Sequence, residues 1–215
     1  MNDPQPEPII LAIESAVAGG SLSLLRGESE IGCWTGTGGV SRAEDLLPNI
    51  SRLLDKSGVA KGEITKVAVS TGPGSYTGIR IGIATALGLK NGLNIPCVGV
   101  PVTKAMHLIL FRGGKAVTAI PMGRNDVAYQ EFEDEKSTRP ALTLTTFEEF
   151  LKFAGSKVEI EVIAEASLYA RLSESVAEIP VLLTSAGDKL AYYVGLAALN
   201  IEISETLEPL FVKAA

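Results

Sequence analysis

The stretch Ser70-Thr71-Gly72-Pro73-Gly74-Ser75-Tyr76-Thr77-Gly78-Ile79-Arg80-Ile81-Gly82 joins a short apolar run, residues 66–70, to a longer one in which Ile79, Ile83 and Leu87 recur every four residues. The first run predicts a strand and the second a helix from Thr77 through Leu93. A glycine-rich turn that ends a strand and opens a helix points exposed amides at whatever lies beyond it, a geometry suited to an anion. Two phosphate-loop patterns fail on spacing. The Walker pattern needs a second glycine five residues after the first and then a lysine; Thr77 stands there, and no lysine follows. The dinucleotide fingerprint also wants its third glycine at Thr77, one place before Gly78. It further wants an acid about twenty residues on, and none occurs before Asp126.

A structural use explains the glycines better. Gly78, Gly82 and Ala86 lie four apart on one helix face. An interior glycine costs about 1 kcal/mol against alanine, so the spacing predicts close approach of another backbone, within the same lobe or from another chain. Arg80 falls in the first turn, where a cation opposes the helix dipole. Two explanations stand: an anionic partner, or a solvated side chain.

Upstream, Pro8–Glu14 is an apolar run with a polar stop, Gly19 and Gly20 turn the chain, and residues 21–25 alternate as a hairpin partner would. Residues 30–35 are a third strand. Ser41 to Asp55 predicts a helix: Ser41 and Glu44 have capping-box spacing, Gly58 is placed as its stop, and Pro48 predicts a kink or late start. Leu46, Leu47, Ile50, Leu53 and Leu54 form its apolar stripe. With a strand over 96–100, the order is β-β-β-α-β-α-β. This predicts an α/β fold of the actin-like ATPase architecture (ASKHA, ribonuclease H-like), with two lobes of mixed sheet and flanking helices. Residues 1–8 are expected as a disordered lead-in, 9–105 as the first lobe, and 106–215 as a smaller, degenerate second lobe. In that second half, 116–120, 127–132 and 159–164 read as strands, and 102–111, 146–153 and 188–199 as helices. No internal repeat is visible.

The 215 residues are 46% apolar and 20% charged, enough for a real core. The mean hydropathy of +0.26 hints at a covered surface. No apolar run reaches the roughly 20 residues of a membrane span, and the start lacks the pattern of a signal peptide. Cys33 and Cys97 have no CxxC spacing and are expected as two buried, reduced thiols of a cytoplasmic protein. The net charge of −6 argues against general nucleic-acid binding. Between Ile64 and Asn125 there is no acid, only Lys66, Arg80, Lys90, Lys104, Arg112, Lys115 and Arg124. Either these bases are scattered and neutralised, or they form one face for an anionic partner.

The glycine-rich motif, preceded by Glu44-Asp45-Leu46-Leu47-Pro48 and Leu11-Ala12-Ile13-Glu14-Ser15, resembles the TsaB (YeaZ) family, the inactive relatives of TsaD among glycoprotease-like proteins. The likeness covers residue 9 to about 106. Beyond that it is confined to Arg124 with Tyr129 and to the ending Glu208-Pro209-Leu210-Phe211-Val212-Lys213. The resemblance implies a non-catalytic subunit in transfer of threonylcarbamoyl to the adenosine beside the tRNA anticodon. Its implied partners are a TsaD-like enzyme and a TsaE-like ATPase, with a homodimer also open, tRNA met only through the complex, and no membrane. It implies pairing through the two first-lobe helices, at Leu46, Leu47, Ile50, Leu53, Leu54, Gly78, Ile79, Gly82, Ile83 and Ala86. Arg42 and Met122 depart from the family's usual His and Asp.

Two enzymatic alternatives can be weighed on residues. A metalloprotease needs several His or carboxylate ligands together; His107 is the chain's single His, in an apolar run, so no metal is expected. An actin-like ATPase or kinase places Asp at the end of the first strand, then Gly two residues later. Here Glu14 is followed by Ser15 and Ala16, a degenerate phosphate loop. ATP or ADP would then bind weakly or within a complex.

Overall fold

The computed structural model describes residues 7–17, 19–36, 43–110, 115–133, 141–157, 160–175, 182–201 and 207–212. The first lobe runs β1 (Ile9–Glu14), β2 (Ser21–Arg26), β3 (Ser29–Thr35), α1 (Ala43–Ser57), β4 (Lys66–Ser70), α2 (Tyr76–Leu93), β5 (Cys97–Val100) and α3 (Val102–His107). The second runs β6 (Ala116–Met122), β7 (Asp126–Phe132), β8 (Thr143–Thr146), α4 (Phe147–Gly155), β9 (Glu161–Ala164), α5 (Ala166–Ser175), β10 (Leu182–Ser185) and α6 (Leu190–Leu199). Among the described residues these strands make two five-stranded sheets, ordered β3-β2-β1-β4-β5 and β10-β9-β6-β7-β8. Each begins as an antiparallel meander and continues with two parallel strands. The second sheet therefore repeats the first in order and direction. The sequence shows no matching repeat, so the likeness of the two halves lies in topology.

Local chemistry explains the element ends. At the end of α1, Gly58 has φ +64. Its N–H donates to Asp55 O at 3.3 Å, and that of Val59 to Leu54 O at 3.1 Å. Both bonds belong to a Schellman stop. Ser75 caps α2 by accepting from Gly78 N. Thr146 and Glu149 form a reciprocal capping box on α4. The capping box expected at Ser41 and Glu44 lies outside the described residues. Pro8, expected in a disordered lead-in, accepts from Gly27 N at 3.0 Å, and residues 1–6 lie outside the described set.

β1 is buried on both faces. Ile9, Leu11 and Ile13 face α1 and α2 in one core, while Ile10 and Ala12 face α3 and α6 in another. The last helix of each half packs on the other half's sheet: α3 against β6 and β7, and α6 against β1 and β2. An added Cβ at Gly195 of α6 would stand 2.4 Å from Leu25 Cδ1, which shows how closely that helix lies on the sheet. Lys66 Nζ fixes its far end by donating to Ala198 O at 3.0 Å. A third core, with Ile79, Met106, Ile120 and Leu190, joins the lobes. The expected boundary at 105/106 falls inside α3 (Val102–His107), and α6 of the second half lies on the first sheet.

Candidate functional site

The ends of β1 and β4, the glycine-rich turn and the second lobe meet at one place. Glu14 closes β1 and is buried. Its Oε1 accepts from the N–H groups of Ala16 at 2.6 Å and Val17 at 3.0 Å, and from Ser70 Oγ at 3.3 Å. Burial pushes its carboxyl up to about 7 against the hydrogen bonds from Val17, Ala16 and Ser70; the charge of Glu165 raises it further. A phosphate loop offers such amides to its ligand. Here two of them serve the chain's own carboxylate.

The glycines lie on that same turn. Ser75 N donates to Ala16 O at 2.6 Å, and Ser15 Oγ to Gly78 O at 2.8 Å. An added Cβ would meet Ala16 O at 2.2 Å from Gly74, Ser15 O at 1.9 Å from Gly78, and Ser15 Oγ at 2.2 Å from Gly82. The close approach expected from the glycine spacing is therefore made within the lobe, by residues 15–16 against the first two turns of α2.

Between the lobes lies a cleft of about 70 Å³, lined by Glu14, Ser21, Glu165, Gly187 and Asp188 among others. It holds three carboxylates and no base among the described residues. Pockets that take drug-sized ligands measure roughly 300–1,000 Å³. Glu165, which caps α5 through Ser167 and Leu168, was not anticipated. An acid closing the apolar strand β9, as Glu14 closes β1, was the available signal.

The expected pairing stripe requires correction. Leu46, Ile50, Leu53, Leu54, Ile79 and Ala86 are at most 4% exposed, and Gly78 and Gly82 are buried too. These eight side chains or backbones fill the chain's own core, because the apolar faces of α1 and α2 cover the first sheet. Ile83 is half-buried between two core clusters. Leu47 alone stands out, 55% exposed. In the turn, Gly72 and Pro73 are buried, and Tyr76 and Thr77 are exposed. Arg80 is exposed, its guanidinium 3.9 Å above the Tyr76 ring, and among the described residues no carboxylate pairs with it. The acid-free tract is scattered: Lys66 on β4, Arg80 and Lys90 on α2, Lys104 on α3, Lys115 before β6, and Arg124 in the β6–β7 turn. Arg112 lies outside the described residues. His107 is a core residue, stacked on Phe132 at 4.4 Å. Among the described residues no helix is long and apolar enough to cross a membrane.

Two lobes of repeated strand order, locked by exchanged helices around a central cleft, define an actin-like, ribonuclease H-like protein. The activator of the 2-hydroxyisocaproyl-CoA dehydratase from Clostridium difficile, solved with bound ADPNP, has this fold: TM-score 0.57 at 9% identity, over 92% of this chain and 100% of that one. YeaZ from Pseudomonas aeruginosa gives a TM-score of 0.64 at 21% identity, over 89% of this chain and 91% of that one. The family model described as TsaD, tRNA N6-adenosine threonylcarbamoyltransferase, matches residues 39–214, and the chain belongs to that family. Within it, the similarity runs to proteins named TsaB, for tRNA threonylcarbamoyladenosine biosynthesis. That of Escherichia coli is 33% identical over 95 residues, 43% of this chain and 41% of that protein. That of Haemophilus influenzae is 31% identical over 135 residues, 59% of this chain and 55% of that protein. The chain thus spans about half the length of the curated relatives it matches.

Proposed function

We propose that this chain is a cytoplasmic, non-catalytic subunit of tRNA threonylcarbamoyladenosine biosynthesis. It pairs with a TsaD-like enzyme, which carries out transfer to the adenosine beside the anticodon, and a TsaE-like ATPase joins the pair. Transfer RNA is met through the complex. Family membership supports the pathway. The observation that carries the non-catalytic role is the use of the Ala16 and Val17 amides by Glu14. A loop that binds its own carboxylate has little left for a phosphate, so ATP or ADP binds this chain weakly or only within the complex.

Pairing uses the outer sides of α1 and α2, where Leu47, Pro48, Ala84 and Gly88 are exposed. Light scattering on a sizing column tests this, with the chain alone and mixed with the TsaD-like protein of the same organism. A one-to-one complex is expected, and a homodimer of the chain alone would read on the same trace. Absence of a complex, with nucleotide and magnesium added, overturns the pairing. Magnesium-dependent ATP turnover that disappears in Glu14→Ala would assign chemistry to this chain instead.

A further inference from the structure

Residues 207–212 belong to neither sheet, yet they close on the glycine-rich turn. Leu210 N–H donates to Thr71 O at 2.7 Å. Gly72, at φ +101, leaves room for the Leu210 carbonyl: an added Cβ would stand 2.8 Å from that oxygen and 2.7 Å from Ile79 Cδ1. Gly99, inside β5, does the same for a side chain. A Cβ there would meet Thr71 Cγ2 at 2.7 Å and Leu207 Cδ2 at 3.3 Å. Glycine within a strand weakens it and often marks close approach of another segment, and Leu207 is the segment's side chain that comes closest. Leu207 also packs against the core shared by β1, β4, α1 and α2. Phe211 then lies beside Tyr76, ring centroids 4.8 Å apart and planes at 38°, and Tyr76 carries the Arg80 guanidinium.

Two glycines, one backbone hydrogen bond, one inserted leucine and one aromatic contact make a built seat. The turn it holds is the same one that residues 15–16 hold from the other side. We infer that residues 207–212 are a strap whose seating fixes the glycine-rich turn and sets the pose of Tyr76 and Arg80 at the start of α2. Neither the turn's own hydrogen bonds nor the α2 dipole supplies this second support. A partner that engages Phe211 therefore acts on the start of α2 through the Phe211–Tyr76 contact. This inference stands on the strap's contacts alone and is independent of the pairing proposed above.

The test is amide hydrogen exchange on the full chain carrying Leu207→Ser with Phe211→Ala. Exchange at Gly78 and Ile79, whose amides bond to Ser75, should rise at least tenfold, with β6 and β7 unchanged. Phe211→Ala alone removes only a half-exposed ring, so the fold is retained. In that variant the Tyr76 ring resonances should shift, while those of Tyr129 stay in place. Unchanged exchange at 75–79 in the double variant overturns the inference. So does a rise of equal size in β6 and β7, because the segment would then be part of the global core and not a separate support.

Discussion

Gly78→Ala tests the central contact of the site, because helix propensity and packing give it opposite signs. Alanine inside a helix gains about 1 kcal/mol over glycine. At position 78 its Cβ would stand 1.9 Å from the Ser15 carbonyl oxygen, which is backbone and cannot swing aside. Relief requires parting α2 from the β1–β2 turn, across which run Ser75 N to Ala16 O at 2.6 Å and Ser15 Oγ to Gly78 O at 2.8 Å. Each such bond contributes about 1 kcal/mol net, and overpacking adds about 1–3 kcal/mol. The loss exceeds the propensity gain by about 2–4 kcal/mol. For a chain of this size each kcal/mol moves the melting temperature by about 2–4 °C, so a fall on the order of 10 °C is expected by calorimetry or circular dichroism. A Gly78→Ala protein that melts at or above the wild type refutes the close contact.

Other expectations follow from single groups. Glu14 keeps its proton up to about 7 in the folded chain but only to about 4.5 when unfolded. The native state therefore binds more protons between those values, and this contribution to stability, on the order of 3 kcal/mol, is present below pH 4.5 and lost as pH rises through 7. Urea midpoints of the wild type and Glu14→Gln should differ more at pH 8 than at pH 5, in favour of the variant; an equal difference at both sinks the argument. Of the two cysteines expected to be buried, Cys97 is, its thiol pushed up to about 11 by burial, whereas Cys33 is exposed because it lies on β3 at the edge of the first sheet. A thiol reagent read by mass spectrometry should therefore label Cys33 alone in the native protein, and equal labelling would contradict the packing of β5. Leu47→Asp should leave the urea midpoint nearly unchanged and weaken pairing, whereas Leu53→Asp, at a position 4% exposed, should unfold the chain. A folded Leu53→Asp protein would place that side chain on the surface after all.

The first lobe was legible because its elements carry complete signals. β1 and β4 are short apolar runs buried on both faces, and α1 has a stripe and a glycine stop. The second lobe was less so. β8, β10 and α5 have few apolar residues and weak periodicity, and none was anticipated. The helix expected over 102–111 ends at His107, since an apolar run such as Leu108-Ile109-Leu110 also fits a half-buried turn, and residue 111 lies outside the described residues. Within the site, the glycine spacing announced the tight packing of residues 15–16 on α2. Periodicity shows which residues share a face, not what covers it; the face holding Leu53 and Ala86 is covered by the chain's own sheet and not by a partner. Glu165 carries a local signal, an acid closing an apolar strand, but its place beside Glu14 comes from the tertiary fold, as does the seat of residues 207–212 on the glycine-rich turn.

The glycines of α2 divide into two groups. Gly78 and Gly82 are explained by residues 15–16, whereas a Cβ at Gly88 would meet nothing within 4 Å. Gly88 is exposed in a helix interior, where it costs about 1 kcal/mol with no return inside the monomer. Gly88→Ala should therefore raise the melting temperature of the isolated chain by about 2–4 °C, the reverse of Gly78→Ala. If α2 packs closely against a partner at this point, the same substitution must weaken pairing, because the added methyl separates the two backbones. Stabilisation with weaker association would mark Gly88 as a position of close approach between chains. Stabilisation with unchanged association would remove the outer side of α2 from the interface and leave Leu47 and α1 to form it.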